Sequence, residues 1–304
     1  MTSEGKTPGH SRKRRSLHRV ILASLLTAAA LTLVFLSAAR ASTGSYELTD
    51  DGAWCWYSDP RAIYHEGRVF TGWVTRLGHI QAAEFSLETA TTSATTLHPF
   101  FERDDHDNPA FFATSDGRLT AFYSRHSACG AHTMYRTSMH PWDANVWLAE
   151  RSTGVNTPGT FGATYANPIG ISSGDDQMLL FWRGADRQPT YSMGTYRPPD
   201  ATWSWCRART LISLEGNRPY VKLASAGDFV AMAFTDGHPV ETETKIYFAM
   251  LGHNDDQELA YFRSDGSLIR LADRGPLSPS EADVVYNGAQ SPYPLRHDAW
   301  VWDV

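Results

Sequence analysis

Cysteine is scarce in this chain. Its 304 residues include only Cys55, Cys129 and Cys206, and no two of them form a Cys-x-x-Cys pair. This scarcity excludes a disulfide scaffold and argues against a zinc ribbon or a dithiol redox site. Cys55 stands between two tryptophans, so we interpret it as a buried core residue rather than a nucleophile. One disulfide remains open, because the sequence does not choose a pair.

Several motifs of common enzymes are missing as well. The chain has no Gly-x-Ser-x-Gly elbow, no phosphate-binding glycine loop and no sialidase-type Ser-x-Asp-x-Gly-x-Thr-Trp box. Asp104, Asp105 and Asp107 could pair as acid and base for glycoside hydrolysis. Adjacent aspartates before Asn-Pro are more typical of loop caps or calcium ligands. We therefore expect no required cofactor and no catalytic metal, with structural calcium or another divalent ion as the open alternative.

The first 41 residues differ in composition from the rest. A basic stretch precedes an apolar run from Val20 to Ala39, and Ala39-Arg40-Ala41 has the small-residue pattern of a cleavage site. This pattern predicts a secretory signal over residues 1–41 and a secreted protein. An uncleaved anchor that leaves residues 42–304 outside the cell is the alternative, since about 20 apolar residues can span a bilayer.

Positive charge is in deficit once the signal is removed. Residues 42–304 carry 20 Lys or Arg and 32 Asp or Glu. Nucleic acid is therefore not expected as a partner, because phosphate binding needs a basic face. An anionic polysaccharide would need a local cationic pocket. We expect a monomer that contacts a membrane only if the N-terminal segment stays uncleaved.

A repeated unit organises residues 42–304. Each copy has a proline, a short apolar run, a Gly-containing turn, a second apolar run and a closing cationic or imidazole residue. The prolines are Pro60, Pro109, Pro168 and Pro219, at steps of 49, 59 and 51 residues. Spacings of about 40–60 residues with several strands per unit predict an all-β propeller of four-stranded antiparallel blades.

The later strands of each blade are predicted from shorter signals. Third strands are expected around four aromatic residues, namely Phe85, Tyr135, Tyr191 and Tyr247. Outer strands are expected at residues 95–97, 146–149 and 203–207. Residues 254–297 read as an insertion or a modified outer hairpin, with a short helix starting at Ser278 because the capping-box spacing is present. Residues 299–304 resemble the first strand of a fifth blade, so the propeller domain at 42–304 would be incomplete.

Two offsets of the repeat carry polar or aromatic residues that could face the propeller axis. The closing position holds His79, His126, Arg183 and His238. The position three before the proline holds Tyr57, His106, Tyr165 and Gly216. Because a propeller points equivalent positions of its blades toward one axis, we expect these residues to converge. Blades two and three supply the tightest cluster, which consists of His106, His126, Tyr165 and Arg183. The alternative is that each is an ordinary structural residue at a strand end.

This cluster suits β-elimination from a uronic acid. Arg183 could hold the carboxylate bidentately, and a protonated His106 could share the developing enolate charge. Tyr165 would be base and then acid if neighbouring cations lower its pKa. His126 would assist as a second base or a positioning group.

The chain resembles the BNR-repeat propeller family that includes ulvan lyases. The resemblance rests on six segments, DGAWCWYSDPR at 51–61, RDDHDNP at 103–109, FYSRH at 122–126, ATYANP at 163–168, FWRG at 181–184 and FTDGHP at 234–239. It implies seven blades, of which this chain would supply about four and a half. It also implies an active site of two histidines, a tyrosine and an arginine, which by motif are His106, His126, Tyr165 and Arg183.

We therefore expect a secreted polysaccharide lyase-like protein that cleaves an ulvan-like, uronate-containing glycan. Tyr57, Arg125, His238 and His79 are predicted to contact substrate. Two alternatives remain open. The first is a glycan-binding or interaction propeller without catalysis, and the second is an inactive truncated family member.

Overall fold

The computed structural model of the protein describes residues 45–126, 130–171, 176–290 and 299–304. The predicted signal over residues 1–41 and Cys129 lie outside these ranges. Strands make up nearly all regular structure in the described residues, which confirms the all-β prediction. The helices are single 3-10 turns at Asp105–Asp107, Ala272–Arg274, Pro279–Glu281 and Gly288–Gln290. None of these described helices has the length and apolar character that a membrane span requires.

Four antiparallel sheets follow one another along the chain. Sheet one contains β1 (Ala62–His65), β2 (Arg68–Val74), β3 (Ile80–Ser86) and β4 (Thr91–His98). Sheet two contains β5 (Ala110–Ala113), β6 (Leu119–Tyr123), β7 (Met134–Thr137) and β8 (Arg151–Ser152). Sheet three contains β9 (Thr164–Gly170), β10 (Gln177–Arg183), β11 (Pro189–Arg197), β12 (Thr202–Trp205) and β13 (Arg209–Thr210). Sheet four contains β14 (Val221–Ala226), β15 (Phe229–Thr235), β16 (Lys245–His253), β17 (Leu259–Phe262), β18 (Leu268–Leu271) and β19 (Asp283–Asn287).

The hairpins form because the turn residues fit their backbone angles. Glu66 and Gly67 connect β1 to β2 and both have positive φ, at 43° and 79°. Two central residues of positive φ define the type I′ turn, whose twist matches that of the flanking strands. Gly227, at φ 67°, begins the two-residue connection from β14 to β15.

The apolar cores lie between neighbouring sheets. On β10, Met178, Leu180 and Trp182 pack with sheet-two residues, whereas Leu179 and Phe181 pack with sheet-four residues. Successive side chains of a strand point to opposite faces, so a strand between two blades is apolar at every position. The continuous apolar run of β10 therefore records a strand that is buried on both faces.

Successive sheets meet along their first strands. β1 lies against β5, β5 against β9, and β9 against β14. This radial arrangement confirms the propeller prediction and places the polar ends of the first two strands of each blade close together.

The outer parts of the blades differ in places from expectation. The four aromatic residues of the predicted third strands do lie in β3, β7, β11 and β16. Residues 146–149 form no strand, however, because only Trp147 bridges to Ser138 and the pairing continues at β8. The modified outer hairpin predicted within 254–297 is present as β17 and β18, and Ser278 precedes a 3-10 turn with its capping box.

The predicted first strand of a fifth blade is not formed at residues 299–304. A strand needs a ladder partner, and this segment instead packs its indole rings on the sheet ends. Trp302 stacks on Trp56 at 5.5 Å, and Trp300 lies 5.2 Å from Tyr220 between ring centroids. The number of blades in the whole propeller stays a prediction.

Candidate functional site

The asparagines of the two Asn-Pro pairs fasten one segment, residues 55–59, to the inner ends of blades two and three. Asn108 accepts a hydrogen bond from the Cys55 amide at 2.9 Å, and Asn167 accepts one from the Asp59 amide at 3.0 Å. The Asn167 amide also donates to the carbonyl oxygens of Tyr57 and Tyr165, each at 2.7 Å. Both asparagines are buried, so these bonds fix the backbone of both tyrosines.

Tyr165 stands at a bulge of β9. The pairing of β9 with β10 shifts between the partners of Phe181 and Arg183, which leaves one extra residue on β9. Tyr165 has a φ of 64°, a left-handed conformation that is unusual for a residue other than glycine. Bulges redirect side chains next to active sites, and strained backbone is concentrated there.

The two histidines of blade two share one carboxylate. Asp104 contacts His106 Nδ1 with Oδ1 and His126 Nδ1 with Oδ2, the latter at 2.8 Å. The imidazole rings stack with their centroids 4.0 Å apart and an angle of 9°. A carboxylate that accepts from Nδ1–H selects the tautomer with a free lone pair on Nε2, which is the state needed for proton abstraction.

Blade three brings its tyrosine and arginine to this pair. The centroid of the Tyr165 ring lies 5.2 Å from that of His106, and the Arg183 guanidinium carbon lies 4.8 Å from the Tyr165 centroid. Arg183 also donates to the Tyr220 hydroxyl at 3.4 Å. The four residues predicted from the repeat offsets are therefore neighbours, as the radial geometry required.

Burial sets the protonation state of Tyr165. The side chain is 7% exposed, and desolvation raises its pKa above the ordinary value of 10, although Arg183 acts in the opposite direction. The base role suggested by the sequence required neighbouring cations to lower this pKa, but desolvation outweighs the single guanidinium. Tyr165 is consequently a neutral phenol, which can donate a proton but does not readily accept one.

Two aspartates three residues apart have opposite properties. Burial raises the pKa of Asp104, but the His106 amide and both imidazoles outweigh burial and lower it to about 2. Burial, with Glu102 and Asp104 nearby, raises the pKa of Asp107 to about 9. Neither carboxyl oxygen of Asp107 has a hydrogen-bond partner of ordinary geometry within the described ranges. Asp104 also accepts from the His106 amide as the N-cap of the 3-10 turn, so the loop-cap interpretation is confirmed for this residue.

The residues predicted to contact substrate have different surroundings. Tyr57 lies within the cluster, 5.3 Å from Tyr165 between ring centroids, but is only 3% exposed. His238 packs on Tyr220 at 5.4 Å, and burial followed by Arg218 lowers its pKa. The side chains of Arg125 and His79 contact residues outside the cluster. Arg125 stacks on Phe101, and His79 Nδ1 accepts from the Phe100 amide at 2.8 Å.

Asp104, His106 and His126 could together hold a metal ion, since their ligand atoms lie within 4.8 Å of one another. Two imidazoles and one carboxylate suit zinc or another transition metal, whereas calcium prefers oxygen ligands. Both Nδ1 atoms already bond Asp104, so only the Nε2 atoms are free for coordination. The donor set therefore gives calcium no support at this position.

Two buried residues of blade four were missed by the sequence analysis. Lys222 is 2% exposed and donates to the Trp56 carbonyl and the Asp59 carboxylate. Tyr220 packs beside Tyr57 and Tyr165, with ring centroids 5.1 Å and 6.3 Å from theirs. The signal for Lys222 in the sequence is its position within the otherwise apolar start of β14, where a lysine indicates an interior ion pair.

Residues 68–295 match the family model described as BNR repeat-containing family member. The chain belongs to this BNR repeat-containing family. No curated protein sequence matches it significantly.

Solved structures similar to this family member include an ulvan lyase of polysaccharide lyase family PL25, bound to -[GlcA(1-4)Rha3S]-, with a TM-score of 0.60 and 14% identity. The match covers 80% of this chain and 62% of that one. The polysaccharide lyase Uly1 has a TM-score of 0.50 and 11% identity over 83% of this chain and 63% of its own. The family member thus spans less than two thirds of these lyases, and likeness at such identity shows the shared fold.

Proposed function

We propose that this protein is an exported polysaccharide lyase-like enzyme that cleaves a uronate-containing, ulvan-like glycan by β-elimination. One observation carries the proposal. A stacked pair of histidines on a single carboxylate faces a tyrosine at a bulge, and an arginine lies over the same tyrosine ring. The ulvan lyases with the same fold support the choice of substrate class.

The substrate carboxylate is assigned to Arg183. A guanidinium can bind both carboxylate oxygens, and neutralising them makes the hydrogen on the adjacent carbon more acidic. Arg183 lines two pockets, one with Tyr165 and the other with His126. A sugar bound at Arg183 would therefore lie near the His126 imidazole and the Tyr165 phenol.

His126 is assigned as the base and Tyr165 as the acid. His126 Nε2 takes the proton from the carbon next to the carboxylate, and the C–H electron pair forms the new C=C bond. The C–O bond to the leaving sugar breaks, and Tyr165 gives its phenolic proton to the leaving oxygen. Asp104 fixes the tautomer of His126, and a His106 that is protonated on Nε2 as well stabilises the enolate charge. Tyr165 thus has only the acid half of the role that the sequence suggested, because burial keeps it protonated.

The test is product formation from glucuronate-containing polysaccharides, followed by the ultraviolet absorbance of the unsaturated uronate. We expect Tyr165→Phe to lower turnover by about 10²–10⁴-fold, the range for a lost general acid, while binding of the glycan is retained. Tyr57→Phe is the matched control, since Tyr57 packs on Tyr165 but has no assigned proton transfer. Full activity of Tyr165→Phe would contradict the acid assignment.

A glycan-binding propeller without catalysis is the second candidate. The 7% exposure of Tyr165 favours it, because a reacting group must reach its substrate. Binding of uronate polysaccharide without any unsaturated product would establish this alternative.

A further inference from the structure

A second, open pocket adjoins the cluster on the other side of Arg183. It is lined by His126, Phe161, Gly162, Thr164, Arg183, Arg187 and Arg218, and it encloses about 550 Å³ of empty space when the solvent at its open mouth is included. The catalytic assignment uses only His126 and Arg183 of these residues.

The lining is strongly cationic. It contains three arginines and no carboxylate among the described residues, in a chain whose formal net charge is −6. Like charges gathered in one pocket repel each other, and an anionic ligand relieves that repulsion. Guanidinium groups also match the geometry of carboxylate, sulfate and phosphate oxygens.

Arg187 is positioned by its turn and by an aromatic ring. It has a φ of 64°, and its amide donates to the Gly184 carbonyl at 2.9 Å. Its guanidinium carbon lies 3.8 Å from the centroid of Phe161. Stacking orients the guanidinium plane and leaves the N–H groups at its edge free to bind oxygen atoms.

Arg218 already binds one carboxylate. Glu241 contacts its Nε at 3.2 Å and its Nη2 more closely, with both carboxylate oxygens engaged. The Glu241 side chain is 57% exposed, so it can leave this position at small cost. The pair shows that Arg218, which lines the pocket, can give two N–H groups to one oxyanion.

We propose that Arg187 and Arg218 form an oxyanion subsite for a charged group on the sugar next to the uronate held by Arg183. The occupant is a sulfate ester or a carboxylate of that neighbouring sugar, and Glu241 competes with it for Arg218. The inference rests on the proposed function only in placing a uronate at Arg183. Arg187 and Arg218 would then allow the protein to distinguish a glycan with charges on adjacent sugars from one with isolated uronates.

Calorimetric binding of oligosaccharides to the full chain tests the subsite. Three probes are compared: a glucuronate oligosaccharide with a sulfate ester on the neighbouring sugar, the same oligosaccharide after desulfation, and an oligouronate with carboxylates on successive sugars. All proteins carry Tyr165→Phe, so that cleavage does not consume the probe. Because the readout is binding, the subsite can be confirmed even if the lyase chemistry fails.

We expect one of the doubly charged probes to bind about tenfold more tightly than the desulfated one, since hydrogen bonds to charged groups contribute on that scale. The tighter of the two identifies the occupant as sulfate or carboxylate. Arg187→Gln and Arg218→Gln should each remove most of this preference. Glu241→Gln should strengthen binding of the same probe severalfold, because Arg218 loses its competitor.

Arg197→Gln is the matched control, since Arg197 is exposed at the end of β11 and does not line the pocket. It should leave all three affinities unchanged. Thermal unfolding of each variant verifies that it folds. If Arg218→Gln proves unstable, Arg187→Gln alone tests the subsite, because Arg187 is exposed and its substitution disturbs little of the fold. Equal affinity for the three probes, or a preference that survives both arginine substitutions, would overturn the proposal.

Discussion

The closing residues of the four blades occupy one position of the repeat but have different partners. In blades one and four, His79 Nδ1 accepts from the Phe100 amide and His238 Nδ1 from the Val240 amide, so both rings stabilise local loops. In blades two and three, His126 stacks on His106 and Arg183 lies over Tyr165. Recurrence along the sequence therefore predicts where a residue lies, and its neighbours determine its chemistry.

The largest expected difference between the closing residues of blades two and three and those of blades one and four is in turnover. His126→Asn should lower product formation by about 10²–10⁴-fold, because it removes the assigned base. His79→Asn should change it less than about threefold, since it alters a loop outside the cluster. Steady-state rates on uronate polysaccharide measure both. Similar losses in the two variants would mean that closing histidines act by supporting the fold.

A second prediction concerns what blade four contributes. Lys222→Met removes the buried partner of Asp59, whose carboxylate then keeps, among the described residues, only Arg61 at 3.2 Å, so the free energy of unfolding should fall by about 2 kcal/mol. Arg218→Gln removes an ion pair with a mostly exposed partner and should cost under about 1 kcal/mol. Chemical denaturation of both variants measures the difference. Equal costs would contradict the role of Lys222 as an interior anchor for residues 56–59.

The third prediction uses the pH dependence of stability. The folded chain keeps a proton on Asp107 up to about pH 9, whereas the unfolded chain releases it near the ordinary pKa of 3.8. Between these values the folded state binds more protons, so this residue makes stability fall by about 1.4 kcal/mol per pH unit as pH rises.

Asp107→Asn should remove that contribution. The free energy of unfolding of the variant, measured by denaturation across this pH range, should decline less steeply than that of the unchanged chain. Asp105→Asn is a suitable control, because Asp105 is a half-exposed neighbour whose side chain contacts His106. Identical slopes for the Asp107 variant and the unchanged chain would show that Asp107 is ionised in the fold.

Much of the fold could be predicted because propeller blades repeat local patterns. The hairpins β5–β6 and β14–β15 follow from apolar runs around a glycine turn, and the third strands follow from their aromatic residues. The predicted outer strand at 146–149 was wrong, because outer strands are short and weakly patterned. Residues 299–304 form no strand in the described part of the chain, and their assignment to a fifth blade stays a prediction.

The candidate site was predictable only where the repeat itself supplies the residues. His106, His126, Tyr165 and Arg183 share offsets, so radial geometry brought them together. Lys222, Tyr220 and Asp107 gain their roles from burial and from partners far away in sequence, which no offset encodes. The raised pKa of Tyr165 was missed for the same reason, because desolvation depends on the whole environment of the phenol.

The most direct test of the central claim, that blades two and three form one reacting unit, is a double-mutant cycle on turnover. It compares His126→Asn, Tyr165→Phe and the combined variant. Residues that act together in one step give strongly non-additive losses. The account predicts that the combined variant is no more than about threefold slower than the slower single variant, as expected for a unit already disabled by one substitution. Losses that multiply would contradict it, because His126 and Tyr165 would then act independently.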